Sequence, residues 1–295
     1  MKRPLRLLLA LLASLLAPVI AHSNSSVSLP QADGSRLELA APAQRLITLA
    51  PHLAELVYAV GAGDRLLATV AYSDYPAAAA ELPRIGDAFR FDLERMLTLQ
   101  PDLILAWDSG TPESAIKAME DLGMPVWRVR INSFEAMAQV LEQLAAATGQ
   151  HGTTAAAQVR QRRDGLRARY GNQRPLSYFY QIGARPLYTV NGAHLISQGL
   201  AICGGVNVFA DLPTLAPQLA PEAVLQADPE LLLAGSSGPE RDPLAQWRSW
   251  PQLQAVKHDA LLTLPADLMN RATPRMLDAV EEACAAFAGW RQRTP

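Results

Sequence analysis

Segments 93–106, LERMLTLQPDLILA, and 221–234, PEAVLQADPELLLA, lie over one another without a gap. Glu94 falls on Glu222, Leu97 on Leu225 and Pro101 on Pro229. Leu103, Leu105 and Ala106 fall on Leu231, Leu233 and Ala234. Each copy reads as a short helix that stops before a proline, because proline pushes the residue ahead of it out of the helical region, and then as a strand. The runs LILAW and LLLAG are continuously apolar instead of alternating, which suits parallel strands covered on both faces. Any α/β protein can reuse helix, proline and strand in that order. A register held across the whole segment, glutamate included, points to two homologous lobes.

The flanking segments agree. RLITLA (45–50), LLATVA (66–71), DLILAW (102–107) and PVWRV (125–129) read as strands, with helices at 52–61, 113–122 and 133–148. HGTTAAAQVRQRRDGLRARY (151–170) reads as one long helix, and no Gly/Ser linker separates the halves. A second series follows: strand 176–182, helix 193–203, strands 230–234 and 260–264, and a last helix at 274–291. Alternating strands and helices require helical crossovers and hence parallel sheets. The expected fold class is therefore α/β, with two Rossmann-like lobes, 44–149 and 173–295, joined by one long α-helix within 150–172. Ligands of such sheets bind beyond the strand ends, so a cleft between the lobes is expected.

Residues 1–21 read as a secretory signal. Lys2, Arg3 and Arg6 precede a short apolar run that ends in Val19-Ile20-Ala21, too short and wrongly flanked for a membrane anchor. The mature chain is expected to begin near His22, to be soluble and to work outside the cytoplasm, in the periplasm. The full chain carries 26 Lys and Arg against 28 Asp and Glu, and loss of the leader leaves a net charge of about −5. A mildly acidic chain without a basic cluster speaks against nucleic acid or anionic membrane as partner. The two cysteines, Cys203 and Cys284, form an even number for an oxidising compartment. A disulfide between them would close a loop of about 80 residues and add a few kcal/mol; two buried free thiols are the alternative.

No catalytic motif is present: no Gly-x-Ser-x-Gly, no phosphate loop, no His-Glu-x-x-His and no Cys-x-x-Cys. No two of the five histidines stand at metal-ligand spacing, so neither catalytic residues nor a metal site nor a resident cofactor is expected. His52 and His194 lie at helix starts and read as capping or surface residues. Aromatic residues collect instead at strand ends: Tyr72 and Tyr75 in AYSDYP, Phe89 and Phe91 around Arg90 after Gly86, Trp107 after DLILA, and Tyr188 in RPLYTVNG. Strand ends face the crevice, so several rings there suit a large, flat, amphipathic ligand, although core packing serves any single ring as well.

RLITLAPHLAELVYAVGAGDRLLATVAYSDYP and LPRIGDAFRFDLERMLTLQPDLILAW resemble the periplasmic binding proteins with a rigid linking helix, which serve importers of vitamin B12, haem and ferric siderophores. CGGVNVFADL (203–212) and RATPRMLDAVEEAC (271–284) extend the likeness through the second lobe, to Ala286. YSDYP and LERMLTLQPDLILAW resemble the B12-type branch, whose disulfide CGG and the late cysteine match. The resemblance implies a corrinoid as transported ligand, cobalamin or a relative, and an inner-membrane ABC permease dimer as partner, with the free chain a monomer. It implies that Glu94 and Glu222 dock onto arginines of that two-fold permease, whereas a first-turn acid favoured by the helix dipole is the plainer reading of either. The B12 binders carry tryptophans where this chain has Ala88 and Leu215, and an aromatic pair where it has Leu268 and Met269. Phe89 and Phe91 are expected to replace that stacking surface. Arg90 and Arg271 are expected to reach the ligand's amide or phosphate oxygens, or else to pair with a nearby acid. The expected contact set is thus Tyr72, Phe89, Arg90, Phe91, Trp107, Tyr188 and Arg271. Haem or a siderophore, held by Tyr72, Tyr75, Tyr188 or His194, is the alternative within the fold. An exported enzyme built on Asp74 and Asp87 is the alternative outside it.

Overall fold

The continuous apolar runs fold as parallel strands buried on both faces, one sheet to each half of the chain. The structure, a computed structural model, describes residues 26–238 and 242–293; the expected leader lies outside them. The first half holds β1 (Val27–Pro30), β2 (Arg36–Leu39), β3 (Leu46–Thr48), α1 (Pro51–Ala59), β4 (Leu66–Ala68), α2 (Ala77–Ala80), α3 (Leu93–Leu99), β5 (Leu103–Trp107), α4 (Glu113–Asp121), β6 (Val126–Val129) and α5 (Phe134–Ala147). Helix α6 (Ala155–Tyr170) crosses to the second half. There follow β7 (Leu176–Gln181), β8 (Gly183–Ala184), β9 (Leu187–Tyr188), α7 (Leu195–Ile202), β10 (Gly205–Asn207), α8 (Pro221–Ala227), β11 (Leu231–Ser236), α9 (Gln254–Lys257), β12 (Leu261–Pro265), α10 (Ala266–Met269) and α11 (Met276–Arg293).

The sheets run β4-β3-β5-β6 and β10-β7-β11-β12, with every neighbouring pair parallel. Counted within each sheet, both orders read second, first, third, fourth. The sequence repeat occupies the same place in each: α3 leads into β5, and α8 into β11, the third strand. Both helices end on a left-handed residue before the proline, Gln100 at φ 46° and Asp228 at φ 38°. The next acid ties down the start of each lobe's first strand. Asp102 accepts the backbone N–H groups of Gln44 and Arg45 at 2.8 and 2.9 Å. Its counterpart Glu230 accepts that of Ser177 at 2.8 Å. The repeat is therefore architectural as well as textual.

In the first sheet Leu46, Leu103 and Leu105 enter one buried cluster, and Ile47, Ile104 and Ala106 the other. Each such leucine or isoleucine contributes roughly 1.5–3 kcal/mol by leaving water. The first cluster does not stop at the lobe boundary. It runs through Phe134 of α5, Val159 and Leu166 of α6, and on to Leu176, Leu200, Val280 and Phe287. A Cβ on Gly199 would stand 2.8 Å from Val280 Cγ2 and 3.7 Å from Phe134 Cζ, so the glycine lets α7 approach both. Helix α6 is braced on each side: Arg160 and Arg163 pair with Glu135 of α5 at 2.7 and 3.0 Å, and Arg162 with Asp278 of α11 at 2.7 Å. The disulfide joins Cys203, at the end of α7, to Cys284 in α11.

The structure departs from the sequence reading at short elements. α6 begins at Ala155, not 151, because Gly149 and Gly152 take φ values of 61° and 82° that break the helix between them. The hairpin β1–β2, with strands of four residues each, packs against β6, where Trp127 Nε1 donates to Pro30 O at 2.9 Å. Strand β10 is three residues long, too short to carry a period.

Candidate functional site

The ends of all four strands of the first sheet open onto one cleft of about 940 Å³. Leu49 to His52 follow β3, Tyr72 follows β4, Trp107 to Thr111 close β5, and Arg130 to Ser133 follow β6. The second lobe contributes Ala193 to Ile196 and Gln198 at the start of α7, Leu215, and Met269 to Ala272 with Met276 after β12. This is the crevice that parallel α/β sheets form beyond their carboxyl ends. Tyr72 stands in it 82% exposed, on a left-handed backbone at φ 65°. A non-glycine residue there stores roughly 1–2 kcal/mol of strain, the kind of local cost that gathers at binding sites.

Beside the cleft an ion cluster crosses between the lobes, and its Arg271 reaches the wall. Glu55 of α1, buried, receives Arg271 Nη1 at 3.0 Å and both Arg275 Nε and Nη2 at 2.9 Å. Arg271 also donates to Asp74 at 2.6 Å and to the Tyr72 carbonyl at 3.3 Å. The Arg275 guanidinium lies 3.5 Å from the centre of the Tyr75 ring. Paired this way, the two arginines meet acids and aromatic faces of the other lobe, and Arg271 still lines the cleft.

Of the residues expected to meet a ligand, Tyr72, Trp107 and Arg271 come together on the cleft wall; Phe89, Arg90, Phe91 and Tyr188 do not. The reason lies in the turn at Gly86. Its φ of 141° lets the chain double back, and a Cβ there would stand 1.9 Å from Arg90 O. Asp87 accepts the backbone N–H groups of Phe89 and Arg90 at 2.8 and 2.9 Å, and Gly86 bridges to Phe91. Phe91 is thereby turned in against the cluster around Ile85 and Met96, while Phe89 stays 73% exposed. Phe91 packs half-buried against that cluster and off the cleft wall, a correction to its expected place as a stacking surface. Tyr188 sits in β9, half-buried and bridged to Gln218. Glu94 and Glu222 are both exposed, each at the second position of its helix.

His52 was expected only to cap a helix or lie at the surface, and His194 to do the same or to hold iron in the haem alternative; both line the cleft. His52 opens α1 one residue after Pro51 and sets its ring edge-on to Trp107, with centroids 5.3 Å apart. Burial, aided by the positive charge of Arg271, pushes its pKa down to about 4. His194 caps α7, and burial lowers its pKa as well. The wall thus carries two neutral imidazoles, one per lobe. Ala88, Leu215 and Met269 also line it, so small or flexible side chains stand where the B12-type branch was expected to carry aromatic ones.

Asp74 and Asp87 do not form an acid–base pair. The hydrogen bond from Arg271 holds Asp74 below the usual carboxylate range, and the backbone N–H groups of Phe89 and Arg90 do the same for Asp87. Among the described residues no group of three His, Cys, Asp or Glu side chains is placed to hold a metal ion. No helix among them is long and apolar enough to cross a membrane.

A family model described as periplasmic binding protein matches residues 46–268. The vitamin B12-binding protein of Vibrio cholerae serotype O1 is 39% identical over 246 residues, 82% of this chain and 88% of that protein. The protein of the same name from Photorhabdus laumondii is 38% identical over 242 residues, 81% and 86% of the two chains. Among solved structures, the periplasmic vitamin B12 binding protein of Vibrio cholerae superposes with a TM-score of 0.74 at 37% identity, over 84% of this chain and 97% of that one. A periplasmic haem-binding protein from Roseiflexus superposes with a TM-score of 0.70 at 24% identity, over 83% and 97%, and shares the fold alone.

Proposed function

The chain belongs to the periplasmic binding protein family, and from that premise we propose that it captures cobalamin or a related corrinoid and delivers it to an ABC-type importer of the inner membrane. Members of this family bind and hand over solutes, so the chain is a carrier and not an enzyme. The observation that carries the ligand assignment is the cleft itself. It is large enough for a bulky planar molecule, at about 940 Å³. It is walled by Tyr72 and Trp107, and its two imidazoles are neutral, so a corrin ring meets little fixed charge beyond Arg271 and Arg130. The names borne by relatives at 38–39% identity support the same ligand.

In this reading Tyr72, Trp107 and Arg271 contact the corrinoid, and the smaller Ala88, Leu215 and Met269 widen its berth. The lobes correspond to residues 44–149 and 173–295. The family implies the periplasm, residues 1–21 are the leader that directs the chain there, and the free protein is a monomer. Glu94 and Glu222, at equivalent places on equivalent lobes, engage two equivalent basic sites of a permease dimer. The test is to load the purified protein with cyanocobalamin and, separately, with haemin, then remove free pigment. Retained cobalamin absorbance at about one per chain is expected. Retention of haemin alone would move the protein to the haem carriers, and retention of neither would refute the assignment.

A further inference from the structure

We propose that His194 determines specificity as a hydrogen-bond donor, its Nε2–H selecting ligands that offer a carboxamide or phosphate oxygen over ligands anchored by an imidazole on their metal ion. The inference rests on the cleft being the ligand site, as above. His194 takes an extended backbone, φ −68° and ψ 142°, and its Nδ1 accepts the N–H of Ile196 at 3.2 Å, which caps α7. A ring nitrogen that accepts carries no proton, so the neutral imidazole must hold its proton on Nε2. Charging the ring would use the same lone pair, break the cap and set a cation at the positive end of a helix. Burial acts in the same direction.

No acceptor among the described residues takes the Nε2–H, although the residue forms part of the cleft wall. The donor is therefore fixed in tautomer by the fold and left for whatever fills the cleft. A neutral imidazole ligates a metal only through an unprotonated nitrogen. Here one nitrogen is spent on Ile196 and the other is protonated. To reach a metal, the ring would have to exchange tautomers and give up the cap. The cleft thus favours a corrinoid, whose rim is studded with carboxamides and whose nucleotide loop carries a phosphate.

The variant His194→Asn separates capping from donation, because asparagine is among the best capping residues but too short to replace Nε2. It should melt within about 2 °C of the parent and bind cyanocobalamin roughly 5- to 20-fold more weakly. Dicyanocobinamide, which lacks the nucleotide loop, identifies the acceptor. Equal weakening with both pigments assigns a corrin carboxamide, and weakening with cyanocobalamin alone assigns the phosphate. Nitrogen-15 spectra of the free protein should show a protonated Nε2 and a bare Nδ1 on His194. Unchanged affinity of the variant for both pigments, or a proton on Nδ1, would overturn the proposal. Failure of the parent to bind either pigment would instead strike the ligand assignment, and the spectra would still decide the tautomer.

Discussion

His52 is buried beside Trp107 with its ring held neutral, and that choice has a pH signature. Its folded pKa of about 4 lies below the ordinary 6.5, so as pH falls the unfolded chain takes up this proton first. The stability it contributes is complete above about pH 6.5 and is lost as pH falls toward 4. At an order of magnitude the loss reaches about 3 kcal/mol. Thermal melts from pH 7 to 4.5 should show a falling stability that His52→Phe makes shallower; a parallel slope in the variant would contradict the assignment. His194 adds to the same slope, while Asp74, held low by Arg271, acts only at still lower pH. Phe89 and Phe91 separate in the same way. Phe91→Ala should cost about 1–3 kcal/mol of stability, below a fully buried ring because Phe91 is half-buried, and leave ligand affinity in the folded protein intact. Phe89→Ala should hardly change stability. The crowding of rings at 89–91 was visible in the sequence, but which ring turns inward depends on Gly86 and on the backbone bonds to Asp87, and neither leaves a periodic trace.

Helices α3 and α8 and the strands after them were legible because everything that makes them is local. A capping Asp92 or an N1 proline starts the helix, a left-handed residue before proline ends it, and an unbroken apolar run follows. Strand β10 and the hairpins β1–β2 and β8–β9 were not legible, since they are short and lack the unbroken apolar run that marks β3 and β4. The place of His52 on the wall escaped for a related reason, and that of His194 was open only through the haem alternative: each opens a helix, which is a structural role in its own right, and only the packing of two lobes turns them toward one space. Equivalent elements in equivalent lobes also carry the docking prediction. Changing Glu94 and Glu222 together to alanine should leave the melting temperature and ligand affinity nearly unaltered, since both side chains are exposed and off the cleft wall. Binding to the permease should fall much further than the roughly 1 kcal/mol per exposed pair, because the second contact forms within an existing complex. A double variant that docks as tightly as the parent would remove these helices from the interface.

The whole molecule behaves as two lobes on one continuous core, pinned by α6, by the seam at Gly199 and by the ion cluster at Glu55. Capture should therefore need little closure, because a helical crossover and a shared core lack the loose hinge that large closure uses. The cluster is the weak point of this arrangement. Glu55→Ala would leave Arg275 without an acid and Arg271 with Asp74, and should cost about 3–5 kcal/mol, seen as a lower denaturant midpoint; a loss under about 1 kcal/mol would mean that water readily replaces the glutamate. The central claim is that one ligand sits between the strand ends of the first lobe and the α7 and α11 approaches of the second. Hydrogen–deuterium exchange with and without saturating cyanocobalamin reads this directly. Slowed exchange is predicted at 49–52, 107–111 and 130–133 in one lobe and at 193–198 and 269–276 in the other. Protection confined to a single lobe, or lying outside these segments, would contradict it.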